Sequence, residues 1–79
     1  MKKKQRRKYF KDQNLLNEIG EKIREIRLSK NISQESLANE VEIDYSQINR
    51  MELGKVNFSI SYLYRIAKAL ETDPKQLLP

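Results

Sequence analysis

From Tyr45 to Arg50 the chain reads Tyr45, Ser46, Gln47, Ile48, Asn49, Arg50, five polar or aromatic side chains around a single isoleucine. Gln and Asn can pair bidentately with adenine, Arg with guanine, and Tyr or Ser suit phosphate or the thymine methyl. On a helix of 3.6 residues per turn, burying Ile48 and Met51 leaves Tyr45, Ser46, Gln47, Asn49 and Arg50 facing out. An ordinary solvent face in an acidic domain would carry Glu and Lys, yet no acid stands between Tyr45 and Met51. The set implies a surface that reads base edges in a major groove. The plain alternative is a polar face that only meets water.

Such a helix must be held by others. Asp44 is its expected N-cap, with Gln47 three residues on completing a capping box, and Gly54 ends it after Leu53. Before it, Ser33 caps a helix whose Leu37, Ala38 and Val41 pack inward, with Glu35 near its positive end. Glu42, Ile43 and Asp44 make the tight turn between the two, Ile43 entering the core. Upstream, a helix starting between Asp12 and Leu16 and running to about Lys30 carries an apolar stripe of Leu15, Ile19, Ile23 and Ile26. Asn31 suits the left-handed residue that closes it.

Downstream, Lys55, Val56, Asn57 and Phe58 form a loop, with Lys55 and Asn57 placed to grip phosphate and Phe58 to enter the core. Ser59 caps a fourth helix to about Leu70, with Ile60, Leu63, Ile66, Ala67 and Leu70 inward and Tyr62 and Tyr64 off that stripe. Thr72 or Asp73 caps a last short helix with Pro74 first. Leu77 and Leu78 are costly to leave in water. One is expected in the domain's own core and the other against a second copy.

Composition narrows the chemistry. Seventy-nine residues allow one small domain. With no Cys and no His, thiol nucleophiles, disulfides, zinc fingers and the commonest general base are all missing. No catalytic constellation, metal site or cofactor site can be named, and an enzyme is not expected. No apolar run is long enough to span a bilayer, and the basic start lacks the apolar segment of a signal peptide, so the expected place is the cytoplasm. Lys2, Lys3, Lys4, Arg6, Arg7, Lys8 and Lys11 put seven cations and no acid in the first eleven residues. The net charge is +5 overall, although positions 12–79 hold nine Lys and Arg against eleven Asp and Glu. The division that follows is a basic flexible arm over 1–11 and a folded domain over 12–79. The arm implies a polyanionic partner, or merely a solubilising tail; Tyr9 and Phe10 are expected to pack on the body.

From Ile19 to Leu78 the chain resembles the lambda-repressor/Cro-type helix-turn-helix family, also called the Xre family. IREIRLSKNISQESLANEV resembles its first two helices, INRMELGK its recognition-helix end, and AKALETDPKQLL its characteristic close. The resemblance implies an all-α, compact five-helix bundle. It implies that Gln34 bridges phosphate and the recognition helix, and that Tyr45, Ser46 and Arg50 contact bases. Gln47 and Asn49 fall beside those positions and more often touch phosphate, while Lys55 and Asn57 match the loop that follows the backbone. Arg27 and Glu52 match a structural pair tying the first helix to the third. Glu42 departs from the pattern, standing where the family most often has glycine with positive φ.

The expected function is a sequence-specific, repressor-like transcriptional regulator binding double-stranded DNA. A homodimer, with Leu77 and Leu78 as interface candidates, would present two recognition helices to a palindromic operator. The other class is an adaptor of the same fold that binds protein, its arm binding RNA.

Overall fold

The computed structural model describes residues 11–79; the expected packing of Tyr9 and Phe10, and the arm up to Lys8, lie outside the described residues. Four α-helices follow in order: α1 (Gln13–Ser29), α2 (Gln34–Val41), α3 (Tyr45–Glu52) and α4 (Ile60–Ala69). The expected fifth helix is a single 3₁₀ turn, Pro74–Leu77. Four residues are too few for an α-helical ladder, and Pro74 supplies no N–H. The described residues are all-α.

Local chemistry sets most boundaries. Asp12, Ser33, Ser59 and Asp73 each accept a first-turn backbone N–H in the side chain, from Leu15, Ser36, Tyr62 and Lys75 respectively. Asp73, rather than Thr72, is thus the last cap. Left-handed residues follow the helix ends: Asn31 (φ 58°), Glu42 (φ 64°), Gly54 (φ 73°) and Glu71 (φ 55°). Asn31 and Glu42 stand where the sequence requires this conformation. Glu42 adopts the family's glycine geometry despite its Cβ, and its carboxylate lies 3.4 Å from Arg65 at the surface.

The core lies where all four helices and the final turn converge. Ile23, Leu37, Val41, Ile48, Ile66, Leu70 and Leu77 are fully buried there, while Ala38 and Ala67 keep the helices close. Ile43, Phe58 and Tyr62 pack half-buried against it. Leu77 therefore belongs to the domain's own core and is withdrawn as an interface candidate; Leu78 is the exposed leucine. Two stripe positions also differ from expectation. Leu15 is exposed and its neighbour Leu16 buried, and Ile60, the first residue of α4, is 69% exposed.

The chain enters α1 beside the end of α3. Gln13 Nε2 donates to Gly54 O at 2.6 Å and to Asn17 Oδ1 at 3.0 Å. Lys11 Nζ lies 3.5 Å from Lys55 O. Two turns past Gln13, Gly20 lets the backbone of α1 rest on that of α3. A Cβ on Gly20 would fall on Met51 O and within 2.6 Å of Glu52 O.

Candidate nucleic-acid interface

The site is built on α2, its turn and α3. Glu42 in the left-handed region closes α2, and Ile43 N–H returns to Ala38 O at 3.0 Å. This folds the chain back sharply enough for α3 to start at Tyr45. Ile48 and Met51 face the core, as the spacing requires, and so does Glu52, four residues after Ile48. Of the outward set, Tyr45, Asn49 and Arg50 are exposed, whereas Ser46 and Gln47 are half-buried.

The capping box at the start of α3 is not formed. Asp44 makes no side-chain capping bond to the backbone of α3. Its carboxylate instead accepts the Ser46 hydroxyl at 2.6 Å, a short charge-assisted bond that outcompetes an amide donor. Gln47 N–H still reaches Asp44, but through the backbone oxygen at 2.9 Å. The Ser46 hydrogen is thus already committed, and that hydroxyl meets a partner as an acceptor.

Gln34, from the start of α2, lies against the middle of α3. Its Nε2 donates to Asn49 Oδ1 at 3.2 Å and to Glu52 Oε1 at 2.9 Å. Glu52 also accepts from Arg27 Nε at 2.6 Å and Nη2 at 3.0 Å, while Arg27 Nη1 donates to Ile32 O at 2.8 Å. The pair expected from the resemblance is therefore present, and its side chains are only 8% and 1% exposed. Every buried side-chain polar atom among the described residues has a partner. A shallow cleft opens above the pair, with Arg24, Gln34 and Asn49 on its walls. Glu21 of α1 lines the same cleft beside Arg24. Lys55 and Asn57 continue the surface beyond α3, both exposed. Lys55 N–H is held by Arg50 O at 2.9 Å, so the loop leaves from the end of the helix that carries Arg50.

The structure thus joins Gln34 of α2 to Asn49 of α3 and leaves Tyr45 and Arg50 exposed on the same helix as Asn49, with Lys55 and Asn57 exposed in the loop that follows. Among the described residues no group of His, Cys, Asp and Glu could hold a metal ion. No described helix is long and apolar enough to cross a membrane.

A helix-turn-helix family model matches residues 23–77. The chain is 47% identical over 61 residues to the control protein C.BamHI of Bacillus amyloliquefaciens, a match covering 76% of this chain and 75% of that protein. Its fold is similar to that of the restriction-modification controller protein C.AhdI from Aeromonas hydrophila, with a TM-score of 0.77 and 35% identity over 80% of this chain and 96% of the other. The restriction-modification controller protein C.Esp1396I is similar at a TM-score of 0.72 and 32% identity, over 78% of this chain and 80% of its own. With these motifs, this two-helix geometry and a model match over most of its length, the chain belongs to the lambda-repressor/Cro-type helix-turn-helix family.

Proposed function

We propose that this chain is a sequence-specific, double-stranded-DNA-binding transcriptional regulator of the restriction-modification controller type. The observation that carries it is the exposed side of α3, where Tyr45, Asn49 and Arg50 stand free of acid beside Gln34. Its relatives named above as controllers support the same reading. In this reading Tyr45, Ser46 and Arg50 meet base edges, Ser46 as an acceptor. Gln34, Gln47, Asn49, Lys55 and Asn57 lie along the phosphate track, and the protein works as a regulator rather than an enzyme, in the cytoplasm. Residues 1–11 act as a basic arm and 12–79 as the DNA-binding domain.

One domain of this size meets only a few base pairs. A repressor-like homodimer, placing two α3 helices in major grooves about 34 Å apart on a palindrome, is the physically economical arrangement. Leu78, 43% exposed at the C-terminal end of the bundle, is the interface candidate that remains.

Site selection from random duplex DNA with the full chain, at near-physiological salt, tests the reading. A palindrome with half-sites about one helical turn apart is expected. No recovered motif, with binding that vanishes when residues 1–11 are deleted, would favour the adaptor instead.

Two variants refine it. Arg50→Ala is expected to weaken binding by ~1–3 kcal/mol and to relax preference at one base position. Equal weakening on every sequence would remove Arg50 from the base readers. Deleting residues 1–11 is expected to flatten the dependence of log affinity on log salt by about 0.9 for each phosphate that the arm neutralises. An unchanged slope would mean that the arm does not touch DNA.

A further inference from the structure

We propose that Asp44 is a specificity-determining residue: with Ser46 it presents a pair of side chains that can only accept, and so selects a base that shows an exocyclic amine in the major groove. The proposal rests on the DNA-binding reading above. It adds to the site a residue that the sequence marks only as a helix cap.

Asp44 holds the cap position without doing a cap's work. Its carboxylate binds no backbone N–H of α3, because Gln47 N–H closes on the Asp44 backbone oxygen at 2.9 Å. The side chain is left exposed directly before Tyr45, at the helix end whose residues reach base edges when such a helix enters the groove. Among the described residues no cation lies at ion-pair distance from it; the nearby acid Glu42 has Arg65 instead. A carboxylate brings no hydrogen of its own, so the only one between the two side chains belongs to the Ser46 hydroxyl. The 2.6 Å bond to Asp44 Oδ2 uses it. Lone pairs of Ser46 Oγ and of both Asp44 oxygens are what remain to meet a partner.

That polarity decides which groups on DNA suit the pair. Phosphate oxygens, guanine N7 and O6 and thymine O4 are all acceptors, whereas cytosine N4 and adenine N6 are the donors on the major-groove edges. Against a wrong base the carboxylate gives up water and receives nothing, and against an amine it receives a charge-assisted bond. Rejection therefore contributes to the choice as much as attraction does. Cytosine fits better than adenine, because the adenine amine stands beside the N7 acceptor. The same polarity turns Ser46 away from phosphate, to which a serine with an unspent hydrogen would donate.

The test uses the full chain and a duplex recovered by site selection, with cytosine replaced by pyrimidinone, or adenine by purine, one position at a time. Each analogue lacks the exocyclic amine. At one position the analogue should weaken the wild type about tenfold and Asp44→Ala less than about twofold, which ties that amine to that carboxylate. On a scrambled duplex Asp44→Ala should bind at least as tightly as the wild type, because an anion has left the DNA face. A merely structural role would weaken both duplexes alike. Site selection with Asp44→Asn, whose amide supplies a donor, should admit guanine or thymine at the same position and keep the rest of the motif. Equal analogue losses in wild type and Asp44→Ala at every position would overturn the proposal. So would an Asp44→Ala loss that is the same on selected and scrambled duplexes. A wild type that selects no duplex would overturn the DNA-binding reading and this proposal with it, whereas a selected duplex indifferent to Asp44 would remove the proposal alone.

Discussion

Arg27→Met should cost about 3–5 kcal/mol of folding stability, the scale for breaking a buried ion pair from one side. The loss is mostly the penalty on what stays behind. Glu52 keeps a carboxylate whose side chain is 1% exposed and loses both guanidinium bonds, and Ile32 O loses its donor. Gln34 alone cannot compensate a charge at that depth. Glu52→Leu should be equally severe from the other side, stranding the guanidinium. Removing both partners in Arg27→Met/Glu52→Leu takes both charges away together and should cost less than either single change, about 1–3 kcal/mol for the unmet groups. Urea denaturation at constant slope measures all three. Single variants costing less than about 1 kcal/mol, or a double variant worse than both, would refute the assignment of the pair as buried and interdependent. Native stabilities run about 5–15 kcal/mol, and a chain this short belongs near the lower end, so the single variants should be partly unfolded at 37 °C.

Gly20→Ala should lower stability by about 2 kcal/mol, although alanine is the best helix former. Propensity favours the change by about 1 kcal/mol. Against it stands the added methyl group, which would overlap Met51 O and lie 2.6 Å from Glu52 O and 2.9 Å from Glu52 C. Those are backbone atoms and cannot swing aside as a flexible side chain would. Overpacking of this kind costs about 3 kcal/mol, so the packing term wins. For a domain of this length a loss of about 2 kcal/mol corresponds to roughly 8–16 °C in Tm. Gly20→Val should be worse, since two further methyl groups enter the same contact. A rise in Tm for Gly20→Ala, the usual result at an exposed helix glycine, would show that α1 and α3 do not approach this closely. Because Gly20 faces the last residues of α3, the same variant should also disturb the seat of Arg50.

What the sequence disclosed depended on how local the cause was. The Ser33 and Ser59 caps, the Asn31 reversal and the Ile23, Ile48 and Ile66 core positions follow from neighbours three or four residues away. Helical spacing alone could not choose between Leu15 and Leu16, adjacent leucines about 100° apart around the same helix. Their fates depend on the tertiary surroundings of α1. Ile60 fits the α4 stripe and is exposed nonetheless, because amphipathic spacing says nothing about whether a neighbour reaches the helix end. At Asp44 two local rules competed. The Ser46 hydroxyl took the carboxylate that the capping rule reserves for backbone amides. In the candidate site, the polar face of α3 was legible residue by residue. The bonds from Gln34 to Asn49 and Glu52 were not, since they join residues 15 and 18 positions apart and need the α2–α3 crossing to exist first. Gly20 carried no local signal at all: the close approach becomes visible only when α3 lies across it.

The entry of the chain beside Lys55 bears on how the charges of residues 1–8 would act. Lys11 Nζ lies 3.5 Å from Lys55 O in the loop that follows α3, and ten residues of chain can span at most about 35 Å. If those residues bind the duplex that the loop meets, as the DNA-binding reading has it, their six cations act within that reach of the same backbone. For a tethered group, the second binding event is intramolecular, at an effective concentration in the millimolar range. In the DNA-binding reading, Lys11, Gln13 and Gly54 turn a weak polycation into a local reagent, with its strength set by leash length. Lengthening the segment dilutes it without altering a single side chain of the recognition surface.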